Sequence, residues 1–311
     1  MYTISGHHHI SMLAKNGKRT NEFYETVLGM RRVKKTVNQD DPSMYHLFYG
    51  DRTGSPGTEL TFFEMPYAGA THRGTNAITR IGLVVSSEES LSFWKQRFAK
   101  YEVPFIEGEY AKRRALLFED EDGLQLALQV EPDARLEHWE AWADSEVPEA
   151  YQIKGMGTIE MQVRRLYKLE RTLTELFGYN VERLSNTELL FRTGKGTIFG
   201  EILALEIEGP SERPGRGSIH HLAIRVKDEE ELAYWDEQIR RRGFQTTGIL
   251  ERFYFKSLYF RESNGIMFEL ATDGPGFTID SDVETLGQRL DLPPFLEDRR
   301  AEIEANLSPL D

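Results

Sequence analysis

The chain has 311 residues, with 51 acidic against 38 basic side chains, a formal net charge of −13, and no cysteine. The missing thiols exclude disulfides, thiolate nucleophiles, iron–sulfur clusters and cysteine-type zinc sites, so any metal must sit on His, Asp or Glu. The acidic balance opposes the phosphate neutralisation that nucleic-acid binding needs, and equally opposes docking on an anionic membrane, which leaves a small molecule as the default ligand.

At 39% hydrophobic residues the composition is that of a globular protein, and the length suggests about two domains. The N-terminal MYTISGHHHISML lacks the basic segment, apolar stretch and cleavage site of a signal peptide. No apolar run approaches the ~18 residues of a membrane span, and a cytoplasmic location is expected.

In chain order, Ile10 and Met12 alternate as one face of a strand, and the amphipathic stretch NEFYETVLG follows at 21–29. The same sequence of events recurs three times. Ile81, Leu83 and Val85 precede ESLSFWKQRFAKY at 89–101; Ile159, Met161 and Val163 precede LERTLTELFG at 169–178; Leu222, Ile224 and Val226 precede EELAYWDEQIRRRG at 230–243. Gly29 and Gly178 lie where helix C-terminal caps belong. Beyond each helix the pattern returns to β. ALLFEDEDGLQLAL at 115–128 aligns without a gap on SLYFRESNGIMFEL at 257–270, each a hairpin with a turn ending in Gly.

The repeat places unit boundaries near 75, 146 and 213, giving units at 1–75, 76–145, 146–212 and 213–280. The acidic segment 131–150 links the halves, PSERPGRG at 210–217 is a loop, and 281–311 is a linker with a Pro-initiated surface helix.

What all four units share is structural, and what only some carry is a candidate for function. Just before the first apolar residue of the opening strand stand His9, Arg80, Thr158 and His221. Side chains alternate across a strand, so if Ile10 and Leu222 face the helices, His9 and His221 face the interior of the sheet. His8 points the other way unless the strand start bends. In the second hairpin strand Glu269 replaces Ala127, an isolated inward carboxylate that burial penalises unless it is paired or binds a metal. Tyr259 replaces Leu117, roughly opposite Glu269, and Arg252 replaces Tyr110. Two His and one carboxylate on three strands make a facial triad that holds a divalent metal and leaves positions open for substrate and dioxygen.

Plainer readings exist for each residue. The His7–His9 run resembles a tag remnant, but it continues directly into a strand; a lone strand His is commonly a hydrogen-bonded core residue; Glu269 has Arg252 as an alternative ion-pair partner; an inward Tyr259 is often core. His46, His72 and His138 lie outside repeated positions and read as surface or loop residues, and the run from Asp228 to Glu231 reads as a solvated helix start.

The segments GHHHISM with FYETVLGM, then SIHHLAIRV, then NGIMFELATDGPGF, resemble the vicinal oxygen chelate (glyoxalase/bleomycin resistance/extradiol dioxygenase) superfamily, and within it the ring-cleaving dioxygenases acting on hydroquinones. The resemblance covers nearly the whole chain, including the tail DLPPFLEDRR. It implies an α+β fold of four βαβββ modules forming two curved-sheet barrels. It further implies an Fe(II) enzyme, with Mn(II) as the alternative, that opens a dihydroxylated aromatic ring with O2. Residues matching His9, His221 and Glu269 hold the metal, while those matching His8, Arg252 and Tyr259 lie beside the substrate. Ser11 stands where some relatives have Thr, and Phe253 and Phe255 are candidates to hold the ring. Because strands share a metal only if their sheets adjoin, the first and fourth units are expected to pair into the metal barrel and the second and third into a metal-free one. The expected partners are the small aromatic substrate and O2; homo-oligomer formation is left open.

Two other functions fit the same chain: a glyoxalase-like isomerase or thiol transferase using Zn, Ni or Mn, and a metal-free protein that sequesters an aromatic compound.

Overall fold

The computed structural model describes residues 2–134, 138–194 and 199–310; positions 135–137 of the linker and Asp311 of the tail lie outside the described residues. The first unit runs β1 (His7–Ala14), α1 (Gly17–Asn21), β2 (Arg31–Val37), β3 (Tyr45–Gly50) and β4 (Glu59–Glu64). The second has β5 (Ala77–Val85), α2 (Glu88–Lys100), β6 (Phe105–Tyr110), β7 (Arg113–Glu119) and β8 (Gln125–Val130). The third has β9 (Gly155–Val163), α3 (Leu166–Arg171), β10 (Asn180–Arg183), β11 (Glu188–Arg192) and β12 (Glu201–Glu206). The fourth has β13 (Ile219–Val226), α4 (Glu229–Arg241), β14 (Leu250–Glu251), β15 (Phe255–Arg261) and β16 (Met267–Pro275), and α5 (Arg300–Asn306) ends the chain.

The strands form two eight-stranded mixed sheets, ordered β14-β15-β16-β13-β1-β4-β3-β2 and β10-β11-β12-β9-β5-β8-β7-β6. The antiparallel pair β1/β13 joins the first and fourth units, and β5/β9 joins the second and third. The expected α+β class with curved sheets is the observed one.

Helix caps follow the local chemistry. Asn16, Ser87 and Asp228 each accept from the backbone N–H three residues on, satisfying a donor that the helix start leaves open. Asp228 thereby gives the acidic run its place at a helix start. The first and third helices begin earlier than their hydrophobic pattern suggests and widen into π turns over Glu22–Val27 and Thr172–Leu176. Both then stop at a glycine of positive φ, Gly29 at 67° and Gly178 at 73°, a conformation a Cβ would strain.

Sheets pair units one with four and two with three, but the helical layer packs differently. Phe23 meets Phe118 of the second unit, and Phe177 meets Phe260 and Phe268 of the fourth. Apolar faces from all four units therefore merge into one core containing Ile10, Trp94, Leu173 and Trp235.

The tail is more than a surface helix. Leu292, Leu296 and Ile303 bury against Val37, and Asp291 N–H donates to Lys35 O at 2.9 Å. This covers the β2 edge, where unpaired backbone groups would otherwise be open to another strand.

The turn of the second hairpin docks on the first unit, with Asp122 Oδ2 accepting from Lys15 N–H at 2.7 Å and Asp120 Oδ2 from the Tyr24 hydroxyl at 3.1 Å. Burial pushes Asp120 up to about 6 and, with Asp120 beside it, Glu121 up to about 8; Glu121 Oε2 has no hydrogen-bond partner. A carboxyl raised in the folded state opposes folding as soon as the unfolded chain ionises. The penalty is absent below about pH 4.5 and grows as pH rises through about 8. Glu121→Gln is expected to gain stability over the parent at pH 9 but little at pH 4, measured by urea midpoints; an equal difference at both pH values would refute the assignment.

Candidate metal centre

His9, His221 and Glu269 meet on the concave side of the first sheet, their ligand atoms all within 4.8 Å of one another. His9 Nε2 lies 3.1 Å and His221 Nε2 2.7 Å from Glu269 Oε2. Strand alternation puts them there: Ile10, Met12, Leu222 and Phe268 enter the helix-side core, so their neighbours face inward. The ladder sets Glu269 beside Ala223 on β13 and opposite Tyr259 on β15.

The tautomers follow from the partners. His8 Nε2 lies 3.2 Å from the Thr272 carbonyl oxygen, which can only accept, so this nitrogen carries hydrogen. Burial drives the His8 imidazolium down to about 3, so the ring is neutral and its Nδ1 accepts. His8 Nδ1 is 3.0 Å from His9 Nδ1, which must therefore donate, leaving His9 Nε2 aimed at Glu269 Oε2. At His221 the Nδ1 lies 2.7 Å from His220 Nδ1, so one of the two rings donates to the other. His221 Nε2 is buried and makes no hydrogen bond despite its closeness to the carboxylate. A bare lone pair facing an anion is repulsive, so a proton or a metal ion must lie between them, and the buried, unpartnered His221 Nε2 fits a divalent metal.

Glu269 is fully buried. Burial pushes its carboxyl up, but His9 and His221 outweigh that and hold it well below the usual range, while Ser257 donates to its other oxygen. His8, His9 and Glu59 form a second cluster. There, burial drives Glu59 well above the usual carboxylate range, and its Oε2 has no partner. A protonated Glu59 is a poor ligand, so charge favours the Glu269 cluster.

A cavity of about 550 Å3 opens over the three residues and is also lined by Ser11, Arg252, Phe255 and Tyr259. Arg252 pairs with Asp40 through both nitrogens at 3.0 Å, not with Glu269, and its guanidinium sits 5.7 Å from the Tyr259 ring centre. Burial, then Glu269, raises the Tyr259 hydroxyl well above its ordinary value. Ser11 Oγ shares a hydrogen bond with Thr61 Oγ1 at 2.8 Å, which in turn lies 3.0 Å from His46 Nε2.

Three sequence expectations change. His8 does not line the cavity but lies behind His9, where a register shift between His7 and His9 bends the start of β1. Phe253 does not line it either. It precedes β15 in a tight turn, at φ 65°, and its ring packs on Tyr254 at 5.1 Å, so strand phase does not apply. His46 is no surface residue: it lies on β3 in the cavity wall, stacked on Phe63 at 4.1 Å. Sequence reasoning also missed His220 and Ser257. The HH pair in HHLAIRV repeats HHI at 8–10, and Ser257 shares the face of Tyr259; both signals were present.

The second sheet has Ala127 at the Glu269 position and answers differently where Glu59 has its counterpart. Glu201, opposite Thr158, accepts from Thr158 at 2.5 Å, Arg192 at 2.6 Å and Arg113 at 2.7 Å. Cations of the chain neutralise this carboxylate, and among the described residues no metal-ligand cluster occurs on that sheet.

Two eight-stranded mixed sheets, with a buried His/His/Glu cluster on one of them, define a fold of the glyoxalase type with a candidate metal site. The family description Glyoxalase/Bleomycin resistance protein/Dioxygenase superfamily matches residues 6–128. The chain is 45% identical over 315 residues to "Putative ring-cleaving dioxygenase MhqA" of Bacillus subtilis strain 168, covering 99% of each chain. It is 27% identical to chlorohydroquinone/hydroquinone 1,2-dioxygenase of Sphingobium indicum, covering 96% of this chain and 95% of that one. A crystal structure of a "putative dioxygenase" from Bacillus subtilis subsp. subtilis strain 168 superposes with a TM-score of 0.93 at 32% identity, over 100% of this chain and 99% of the other. The chain belongs to the glyoxalase/bleomycin resistance protein/dioxygenase superfamily. No helix among the described residues is long and apolar enough to cross a membrane.

Proposed function

We propose that the chain is an Fe(II)-dependent ring-cleaving dioxygenase acting on a hydroquinone-type or catechol-type aromatic with O2, Mn(II) being the alternative metal. The observation that carries this reading is the convergence of His9 Nε2, His221 Nε2 and Glu269 Oε2 at the base of an aromatic-lined cavity. The relatives' names support the reaction class. In this reading units 1–75 and 213–280 form the metal barrel, units 76–145 and 146–212 its metal-free companion, and 281–311 the tail.

His9, His221 and Glu269 would hold the metal, which when bound supplies a Lewis acid that lowers the phenol pKa and gathers the reactants. His8 and His220 would fix the ligand imidazoles, each accepting the Nδ1 hydrogen that a ligand bound through Nε2 must carry. Tyr259, kept protonated, holds a proton at its hydroxyl beside the site. Arg252, steadied by Asp40, presents positive charge to oxygen atoms that become negative. Phe255, 5.3 Å from the His9 ring, packs against the ligands and excludes water.

The direct test loads the protein with Fe(II) anaerobically and follows oxygen uptake with a panel of hydroquinones and catechols. Uptake above the metal-free control is expected; none with any compound overturns the reading. His8→Phe removes the acceptor for His9 Nδ1–H and is expected to weaken metal binding about 10–100-fold, read by competition with a chelator. Unchanged affinity would show that His8 does not orient His9.

A further inference from the structure

Beyond the metal-proximal part of the cavity, the inward residues change character. Ser11 lies beside Thr61 in the β1/β4 ladder, and two residues further along the same strands stand Leu13 and Phe63. At the rise of an extended strand this is about 7 Å further from the ligand end. Met65 follows Phe63 by two residues, just past the end of β4, and Met44, just before β3, precedes by two the His46 that is set opposite Phe63. Leu13, Phe63, Met44 and Met65 all line the cavity and all keep part of their surface exposed. The polar rim, Gln39 and Asp40, is tied down by hydrogen bonds to Arg252.

Size makes the same point. A cavity of about 150 Å3 suffices for benzene, whereas this one is about 550 Å3. A bare dihydroxybenzene at the ligand end would leave the outer part filled with water against four apolar side chains.

Resting on the proposed ring-cleaving function, we infer that the substrate carries an alkyl substituent, on the order of butyl or longer, which lies between Leu13, Phe63, Met44 and Met65. The unbranched thioether side chains of the methionines adapt to chains of different shape, so length is selected more strongly than branching.

The test is anaerobic calorimetry of the Fe(II)-loaded protein with hydroquinone and its methyl, butyl and hexyl derivatives. Each methylene buried is expected to raise affinity about four-fold. The double variant Met44→Gln/Met65→Gln is expected to flatten this chain-length dependence, and Met44→Leu/Met65→Leu to keep it. Affinity that is constant or falls from hydroquinone to butylhydroquinone overturns the inference, as does a slope unchanged in the Gln variant. Oxygen uptake with the same compounds separates the two claims. Turnover without a chain-length slope leaves ring cleavage standing and removes the alkyl subsite. A slope without turnover supports the subsite and overturns ring cleavage.

Discussion

Glu269→Ala is expected to abolish stoichiometric metal binding and, with it, oxygen uptake. Replacing a partner that merely orients a ligand costs about 10–100-fold in metal affinity, and deleting a ligand should exceed the upper end of that range. The physical reason is charge as well as coordination. Glu269 is the one carboxylate between the two imidazoles, and its contacts with His9 and His221 hold it well below the usual carboxylate range despite its burial. Without it, His9 and His221 face a dication with no negative charge in contact, since Glu59 is raised by burial towards its neutral form. Elemental analysis of variant and parent, purified alike and shown by circular dichroism to be equally folded, decides the matter. A variant that retains one metal per chain would remove Glu269 from the ligand set. The same measurement separates the metal reading from a metal-free aromatic-binding protein, for which Glu269→Ala should leave ligand affinity intact.

Lys34→Met is expected to destabilise the fold by about 3–5 kcal/mol. Lys34 is fully buried, and its Nζ lies 2.7 Å from both Asp280 Oδ1 and Asp291 Oδ2. Removing the ammonium leaves Asp291, itself almost fully buried, with Ser281 and the largely exposed Arg289. The consequence reaches the cavity: the Tyr254 hydroxyl, whose ring lies 4.9 Å from Lys34 Nζ, donates to Asp280, and Tyr254 is part of the cavity wall. Urea unfolding measures the loss, and less than about 1 kcal/mol would show that water or Arg289 compensates. The double variant Lys34→Met/Asp291→Ala should recover part of it, because much of the cost is the stranded carboxylate rather than the lost pair.

The sequence was most informative where structure depends on strand period. Strict alternation of apolar residues placed His9, His221 and Glu269 on one face, and the four-fold repeat made their departure from Thr158, Arg80 and Ala127 visible. The same logic failed wherever the strand was irregular. A register shift carries His8 behind His9, a second one lies between Ser11 and Met12 beside His220 and His221, and a turn removes Phe253 from the phase of Phe255. Each bulge adds a residue that period-two reasoning cannot anticipate.

Arg252 illustrates a different limit. Its departure from the repeat marked it for the cavity, but its partner proved to be Asp40, 212 residues away. The Lys34 triad likewise joins β2 to a tail more than 240 residues later, and no local pattern announces such a pair.

By itself, then, the sequence determined the composition of the centre, imidazole and carboxylate without thiol, and the number and order of the repeated units, because both follow from residue identity and short-range periodicity. Tertiary structure alone decided which histidine nitrogens face the carboxylate, which of two acidic clusters stays ionised, and how far the cavity runs beyond the ligands. Those properties depend on desolvation and on contacts between strands distant in the chain. They exist only once the β1/β13 pairing has closed the first and fourth units into one sheet.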